Sequence, residues 1–274
     1  MLNARELLDW AAAELRPYSA DSKLDALLLL SEATGQSRTQ VVLNDAITLE
    51  QGNQFQIWIN QRKSGEPIQY IVGRAYFRNL ILEVGPGVLI PRPESESLVE
   101  LVRDQIINLS APRVLDLGAG SGALAIAIAS EVPDSQVTAL EKQERAFIWL
   151  RKNVEALKPT IELIHSDVSE LHRSEYFDAV ITNPPYIPDS QMLPGEVQEF
   201  EPHEALFGGA SGLELPQRFI EAAIRCLKPG GFFAMEHHES HSESLTQILN
   251  HSFTNVRLHY DLNNRPRFST GVLK

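Results

Sequence analysis

The sequence predicts an α/β protein: a doubly wound, largely parallel sheet preceded by a small helical bundle. Three observations carry this. From residue 112 onward, short apolar runs alternate with helical segments, the pattern of parallel strands joined by helical crossovers. The first run, Arg113–Leu117, opens into Gly118-Ala119-Gly120-Ser121-Gly122 and then a helix rich in Ala and Ile. Residues 1 to about 65, by contrast, read as helices, with apolar residues at helical spacing.

The bundle is expected over 1–66. Leu7, Leu8, Ala11 and Leu15 give the first helix one apolar face. Asp21 or Ser22 is placed to cap a second helix through Leu24, Leu27 and Leu28, which stops near Gly35. Ser37 is placed to cap a short third helix through Val41 and Val42. A fourth runs from about Thr48 to Arg62 and contains Phe55, Ile57 and Trp58. Residues 1–74 hold seven bases and nine acids, a balance of −2. Such a module suits docking of a protein partner better than a grip on nucleic acid.

Residues 67–92 read as a β-hairpin linker, with Tyr70-Ile71-Val72 in one strand and Leu80-Ile81-Leu82 with Val84 in the other. Pro91-Arg92-Pro93 breaks the chain, and a helix follows from Glu94 to Leu109. The rest, 93–274, forms the α/β domain. Strands are expected at Arg113–Leu117, Gln136–Leu140, Glu162–His165, Phe177–Thr182, Gly231–Met235, Val256–His259 and Arg267–Leu273, seven in all. The last two have no full helix between them, which predicts an antiparallel pair at the sheet edge.

The totals bound the function. With 43% hydrophobic and 22% charged residues, the chain is typical of a soluble globular protein. No apolar run is long enough to span a bilayer, and the N-terminus lacks a signal-peptide pattern, so a cytoplasmic location is expected. The single cysteine, Cys226, reads as a packed core thiol. A net charge of −12 argues against stable nucleic-acid binding. No membrane association is expected, and a monomer is.

Four constellations carry chemistry. The glycine turn 118–122 follows a buried strand, where glycine permits positive φ and close approach of a ligand. Its GxGxG spacing departs from the dinucleotide fingerprint, so pyrophosphate is disfavoured. Glu141 ends the next strand, where a carboxylate can accept from both hydroxyls of a ribose. Asp167, with Ser166 and Val168, follows the third strand; it can accept from an adenine amine, and it can equally cap a helix. Asn183-Pro184-Pro185-Tyr186 follows the fourth. Two prolines cannot continue a sheet, so the strand stops at Asn183. Alone, the tetrapeptide reads as a stiff strand exit. Behind a glycine turn it becomes a site: the Asn183 amide oxygen and the Pro184 carbonyl can accept the N–H groups of a planar nitrogen, and Tyr186 can pack on a flat group. Glu236, His237, His238 and His241 cluster without the spacing of a zinc site, and no metal is expected.

The glycine turn resembles motif I of the S-adenosylmethionine-dependent methyltransferases, and NPPY resembles the acceptor motif of those that methylate planar nitrogens. The stretch PIQYIVGRAYF, then VGPGVLIPRPESESLVE, narrows the resemblance to the peptide chain release factor glutamine methyltransferases. Phe200-Glu201-Pro202, Gly208-Gly209, Leu227-Lys228-Pro229-Gly230-Gly231, Glu236-His237 and Arg265-Pro266-Arg267 agree with it. The resemblance implies a Rossmann-like methyltransferase sheet of seven strands and S-adenosyl-L-methionine as cofactor. The expected substrate is the glutamine of the Gly-Gly-Gln loop in class I release factors. It also implies roles. Gly118, Ala119, Gly120, Ser121 and Gly122 cradle the methionine end, Glu141 the ribose, and Asp167 with Val168 the adenine. Asn183, Pro184, Pro185 and Tyr186 hold the glutamine, with Asn183 also against the cofactor. Three positions depart from the family pattern: Ser95 stands for Thr, Val168 for a large aromatic, and His238 for Gly. The alternative reading is an amino-methyltransferase acting on an exocyclic amine of DNA or RNA, which the charge balance disfavours.

Overall fold

The structure is a computed structural model that describes residues 2–43 and 46–274; Asp45, counted in the charge balance above, lies outside them. The chain divides into two compact units. The first runs to Arg74 and includes the later segment Leu193–Phe200; the second holds Ala75–Met192 and Glu201–Lys274.

The first unit is helical: α1 (Ala4–Leu15), α2 (Ser22–Thr34), α3 (Arg38–Leu43), α4 (Leu49–Lys63) and α5 (Ile68–Val72). Its helix starts are chemically marked. Asp21, rather than Ser22, caps α2 by accepting the Leu24 N–H at 3.1 Å. Thr48 and Gln51 form a reciprocal capping box on α4. Gly35, at φ 66°, ends α2 in the left-handed conformation. Leu15, Leu29, Leu30, Ile47, Phe55 and Ile59 fill the core. Arg62 crosses that core in a buried ion pair with Asp25 at 2.7 Å, and also meets Glu196 of the returning segment at 2.8 Å.

One expectation is overturned here. Tyr70-Ile71-Val72 is helical, not a strand. Pro67 supplies a start that needs no N–H, Gly73 at φ 73° supplies the stop, and Tyr70 and Ile71 are both buried. Apolar runs of three cannot distinguish the two states. The two-stranded sheet lies one step later, as β1 (Arg74–Phe77) and β2 (Leu80–Glu83), joined through Arg78 at φ 53°.

The second unit is the α/β domain. Its sheet holds β3 (Arg113–Leu117), β4 (Gln136–Glu141), β5 (Glu162–His165), β6 (Phe177–Thr182), β9 (Leu227–Glu236), β10 (Phe253–Tyr260) and β11 (Pro266–Leu273). Their spatial order is β10-β11-β9-β6-β3-β4-β5. β11 runs antiparallel to both its neighbours, and all other pairs are parallel. Helices α6 (Glu96–Ile106), α7 (Ala123–Glu131) and α8 (Glu144–Leu157) cover one face; α11 (Glu214–Cys226) and α12 (Ser242–Ser252) cover the other. Strand alternation decides which residue serves which face. Val114, Ala179 and Ile181 face one core, and Leu115, Leu117 and Val180 the other. Cys226 is buried in the second. After β6 the chain forms the short pair β7 (Ile187–Pro188) and β8 (Phe207–Gly209), with helices α9 (Gly195–Phe200) and α10 (His203–Leu206) between them. Among the described residues, no helix is long and apolar enough to cross a membrane.

Removing the Arg62 guanidinium leaves Asp25 buried without its partner. Arg62→Met is expected to destabilise the first unit by about 3–5 kcal/mol, read from urea unfolding. An unchanged midpoint would show that this pair contributes nothing.

Candidate active site

Four loops leave the same edge of the sheet. Leu117 is in register with Leu140 of β4 and Thr182 of β6, and Glu141 with His165 of β5. The next residues, Gly118, Glu141, Ser166 and Asn183, therefore emerge side by side. Gly118, Glu141 and Asn183, with Asp167 just after Ser166, border a cavity of about 400 Å³. Gly118, Ala119, Gly120, Ser121, Glu141, Asp167, Val168, Asn183 and Pro185 line it. Gly122, Pro184 and Tyr186 do not: Gly122 packs on Leu150 and Ile126, and Pro184 is buried behind the wall.

The turn needs its glycines. Gly118, Gly120 and Gly122 have φ of 74°, 56° and 87°, which L-residues with side chains rarely adopt. A Cβ on Gly120 would meet nothing within 4 Å, because that position opens toward the cavity. Most of the turn's donors are already spent. Gly118 and Ala119 N–H donate to the Leu140 carbonyl, Gly120 N–H to Glu141 Oε2 at 2.9 Å, and Gly122 N–H to the Ala119 carbonyl. This turn is not an anion nest.

Glu141 is 7% exposed. The N–H groups of Gly120 and Gln143 hold its two oxygens, at 2.9 and 2.7 Å. Burial still raises its pKa, against those donors. A carboxylate offers about four acceptor positions, so both oxygens keep capacity for hydroxyl donors. Asp167 caps the turn at Val168 by accepting the Ser169 N–H at 2.9 Å, with Lys142 at 3.0 Å and Arg218 at 3.3 Å also on its oxygens. These donors, led by the Ser169 N–H, hold its carboxyl far below the usual range. The helix-cap reading of Asp167 is thus realised, on the cavity wall.

Asp116, two residues before the turn, is the acidic strand residue that precedes the GxGxG glycines. It is fully buried; Oδ2 accepts the Ala125 N–H at 3.0 Å, and Oδ1 has no partner among the described residues. Burial pushes its carboxyl from the ordinary 3.8 up to about 7, with Glu141 adding to the rise and the Ala125 N–H opposing it.

At the acceptor end, Asn183 Nδ2 donates to Ser95 Oγ at 3.2 Å, and Ser95 Oγ donates to Glu236 Oε2 at 2.5 Å. The Tyr186 hydroxyl donates to the other oxygen, Glu236 Oε1, at 2.9 Å. Tyr186 is thereby turned toward Glu236 rather than onto the cavity wall. Gly208 presses on the same backbone: a Cβ there would lie 2.6 Å from the Pro185 carbonyl and 2.9 Å from Tyr186 Cα. His203 and Phe207 stack at 4.2 Å and line the cavity with Phe219, giving flat apolar surface beside Val168. Neighbouring imidazoles are engaged within the chain, His237 with Ser269 at 2.9 Å and His241 with the Ser211 carbonyl at 3.1 Å. Among the described residues no group of side chains is arranged to hold a metal ion.

The chain has relatives in two of its segments and over almost its whole length. Residues 94–201 match the methyltransferase small domain, and residues 6–73 the PrmC N-terminal domain. A release factor glutamine methyltransferase of Mycolicibacterium smegmatis is 36% identical over 281 residues, covering 99% of this chain and 98% of that protein. The chain belongs to the release factor glutamine methyltransferase family. Another member, from Streptomyces coelicolor, is 39% identical over 218 residues, covering 77% of this chain and 78% of its own. A T. thermophilus 16S rRNA methyltransferase, solved with S-adenosylmethionine and guanosine, shares the fold: TM-score 0.52, 23% identity, 73% of this chain and 50% of that one.

The protein is therefore a methyltransferase that uses S-adenosylmethionine, and the lining fits such a cofactor. The glycine turn leaves room at Gly120, and three carboxylates, Glu141, Asp167 and Glu204, border the cavity. Its bases are paired, Arg92 with Glu201, and Lys142 and Arg218 with Asp167. Carboxylates suit a cationic nucleoside with free hydroxyls and repel a pyrophosphate.

Two measurements test this site. Gly208→Ala is expected to lower methyl transfer at least tenfold, since the Pro185 carbonyl and Tyr186 Cα must shift; unaltered transfer would show that the loop yields freely. Asp116 makes the native chain hold a proton that the unfolded chain releases near pH 4. Its contribution to stability is present below that pH and is lost as pH rises through about 7. Asp116→Asn is expected to flatten the fall in unfolding free energy between pH 4 and 7.

Proposed function

We propose that this methyltransferase modifies the side-chain amide nitrogen of the glutamine in the Gly-Gly-Gln loop of class I peptide chain release factors. The carrying observation is Asn183. Its amide donates at one end to Ser95, which leaves the oxygen as the acceptor offered to the cavity, beside the glycine turn and Glu141. Family membership selects glutamine over a nucleobase, because Asn183 would serve either.

Gly118, Ala119, Gly120 and Ser121 hold the methionine portion of the cofactor, with Gly122 closing the turn behind them; Glu141 holds its ribose hydroxyls, and Asp167 with Val168 its adenine. When bound, S-adenosylmethionine supplies a methyl group on a cationic sulfonium, a strong electrophile. The chain's task lies with the nucleophile. An amide nitrogen is weak because its lone pair is delocalised into the carbonyl. Asn183 Oδ1 accepts one of its N–H groups and the Pro184 carbonyl the other, which orients the nitrogen and stabilises the positive charge that develops on it. Pro185 and Tyr186 complete the acceptor corner, and Asn183 also borders the cofactor. Positioning of this kind contributes up to ~7–11 kcal/mol in the best cases. The helical bundle is the docking module for the release factor. The protein works as a monomer in the cytoplasm, where that substrate is found, and forms no stable complex with nucleic acid.

The test is a transfer assay with labelled cofactor on purified release factor, its loop Gln→Ala variant, DNA and RNA. Label is expected on the intact release factor alone. Label on nucleic acid but not on release factor would select the nucleobase reading instead. Asn183→Ala is expected to lower kcat by about 100-fold or more, with cofactor Kd changed less than threefold. Equal losses in both would remove Asn183 from the target amide.

A further inference from the structure

Glu236 is a puzzle in the site as described. It is 2% exposed, it ends β9, and it does not line the cavity. Desolvating a carboxylate is costly, yet this one is buried behind Ser95 and Asn183. Its two oxygens take one hydroxyl each, from Ser95 at 2.5 Å and from Tyr186 at 2.9 Å. Burial raises its pKa, against those two donors and the nearby Arg267.

The direction of the bonds matters. A serine hydroxyl has one proton to give. Both Glu236 oxygens accept in the structure, so Ser95 spends its proton on Glu236. Ser95 Oγ is then an acceptor toward its other neighbour, and Asn183 must present Nδ2 to it, as it does at 3.2 Å. With Nδ2 committed, the amide's Oδ1 is the end left for the substrate. Without the carboxylate the Ser95 proton is free to turn to Asn183 Oδ1. The amide then turns over and offers the cavity two donors, which repel the N–H groups of a target amide.

We propose that Glu236 is a positioning residue: through Ser95 it sets the polarity of the Asn183 side chain, so that Asn183 meets the substrate as an acceptor. The proposal rests on the reading of Asn183 given above. Its parts are far apart in the chain: Glu236 lies 141 positions after Ser95, and Asn183 lies 88 after it. Three separate elements thus meet at one hydroxyl. Thr at position 95 would keep the same single hydroxyl.

The experiment is a mutant cycle on the full chain, with kcat measured at saturating release factor and cofactor. Ser95→Ala and Glu236→Met each remove the relay, and each is expected to lower kcat at least tenfold with cofactor Kd unchanged within threefold. In the Ser95→Ala background, the loss from Glu236→Met is expected to be at least fivefold smaller than in the wild type, because Ser95 carries the hydrogen bond from Glu236 to the amide. Ser95→Thr is expected to restore the turnover that Ser95→Ala loses. Losses that simply multiply, or a Ser95→Thr chain as slow as Ser95→Ala, would overturn the proposal. Thermal unfolding and cofactor binding report whether Glu236→Met folds; if it does not, the comparison of Ser95→Ala with Ser95→Thr decides alone. Asn183→Ala separates the two levels. If it leaves kcat intact, the reading of Asn183 fails; if it is slow while the cycle multiplies, only the relay fails.

Discussion

The site depends on one constraint, the parallel register of β4, β3 and β6. Leu117 lies between Leu140 and Thr182, so the chain leaves the sheet at three neighbouring points and at the same height. The bond from Gly120 N–H to Glu141 Oε2 spans two of these exits, and the Thr182 hydroxyl donating to the Leu117 carbonyl at 2.7 Å ties the third. A slip of one residue in any strand would move a functional side chain to the opposite face. The packing of both faces, with Val114 and Ile181 on one and Leu115 and Val180 on the other, holds that register.

Among the buried carboxylates of this domain are Asp116, Glu141 and Glu236. Each lies close to the cavity wall, each has its pKa raised by desolvation, and each is held by hydrogen-bond donors. Asp116 is the least satisfied, with one oxygen unpartnered among the described residues. Such groups weaken the fold relative to apolar packing. Their concentration at one edge of the sheet marks where stability is exchanged for orientation of the surrounding amides and hydroxyls. Asp167 shows the contrast. It is partly exposed, surrounded by Ser169, Lys142 and Arg218, and its carboxyl is pulled down instead.

The loop after Tyr186 shows how closely backbone can be packed to shape a site. β7 and β8 pair in parallel, and Gly208 and Gly212 sit against the carbonyls of Pro185 and Tyr186 with no room for a side chain. The same loop then gives Leu193–Phe200 to the first compact unit, where Glu196 meets Arg62. Part of the acceptor loop is thus built into the helical unit.

Much of this was readable in the residues themselves. Apolar runs foretold all seven strands of the large sheet, and burial on both faces makes that signal unbroken in the inner strands β3, β4 and β6. The glycines at 118, 120 and 122 announced the turn, because only glycine takes positive φ there at low cost. Pro184-Pro185 announced where β6 ends. Local spacing failed where the deciding partner is distant. Tyr70-Ile71-Val72 has the composition of a strand, and only its packing in the bundle, between Pro67 and Gly73, makes it a helix. Tyr186 looked like a ring for the target, and a carboxylate 50 residues away turned its hydroxyl inward. The residue types and their order determined the fold, the cofactor and the chemistry. The polarity of the Asn183 amide was decided only by tertiary structure, because hydrogen-bond direction is set by which groups meet, and Ser95, Asn183 and Glu236 meet only once the sheet has formed.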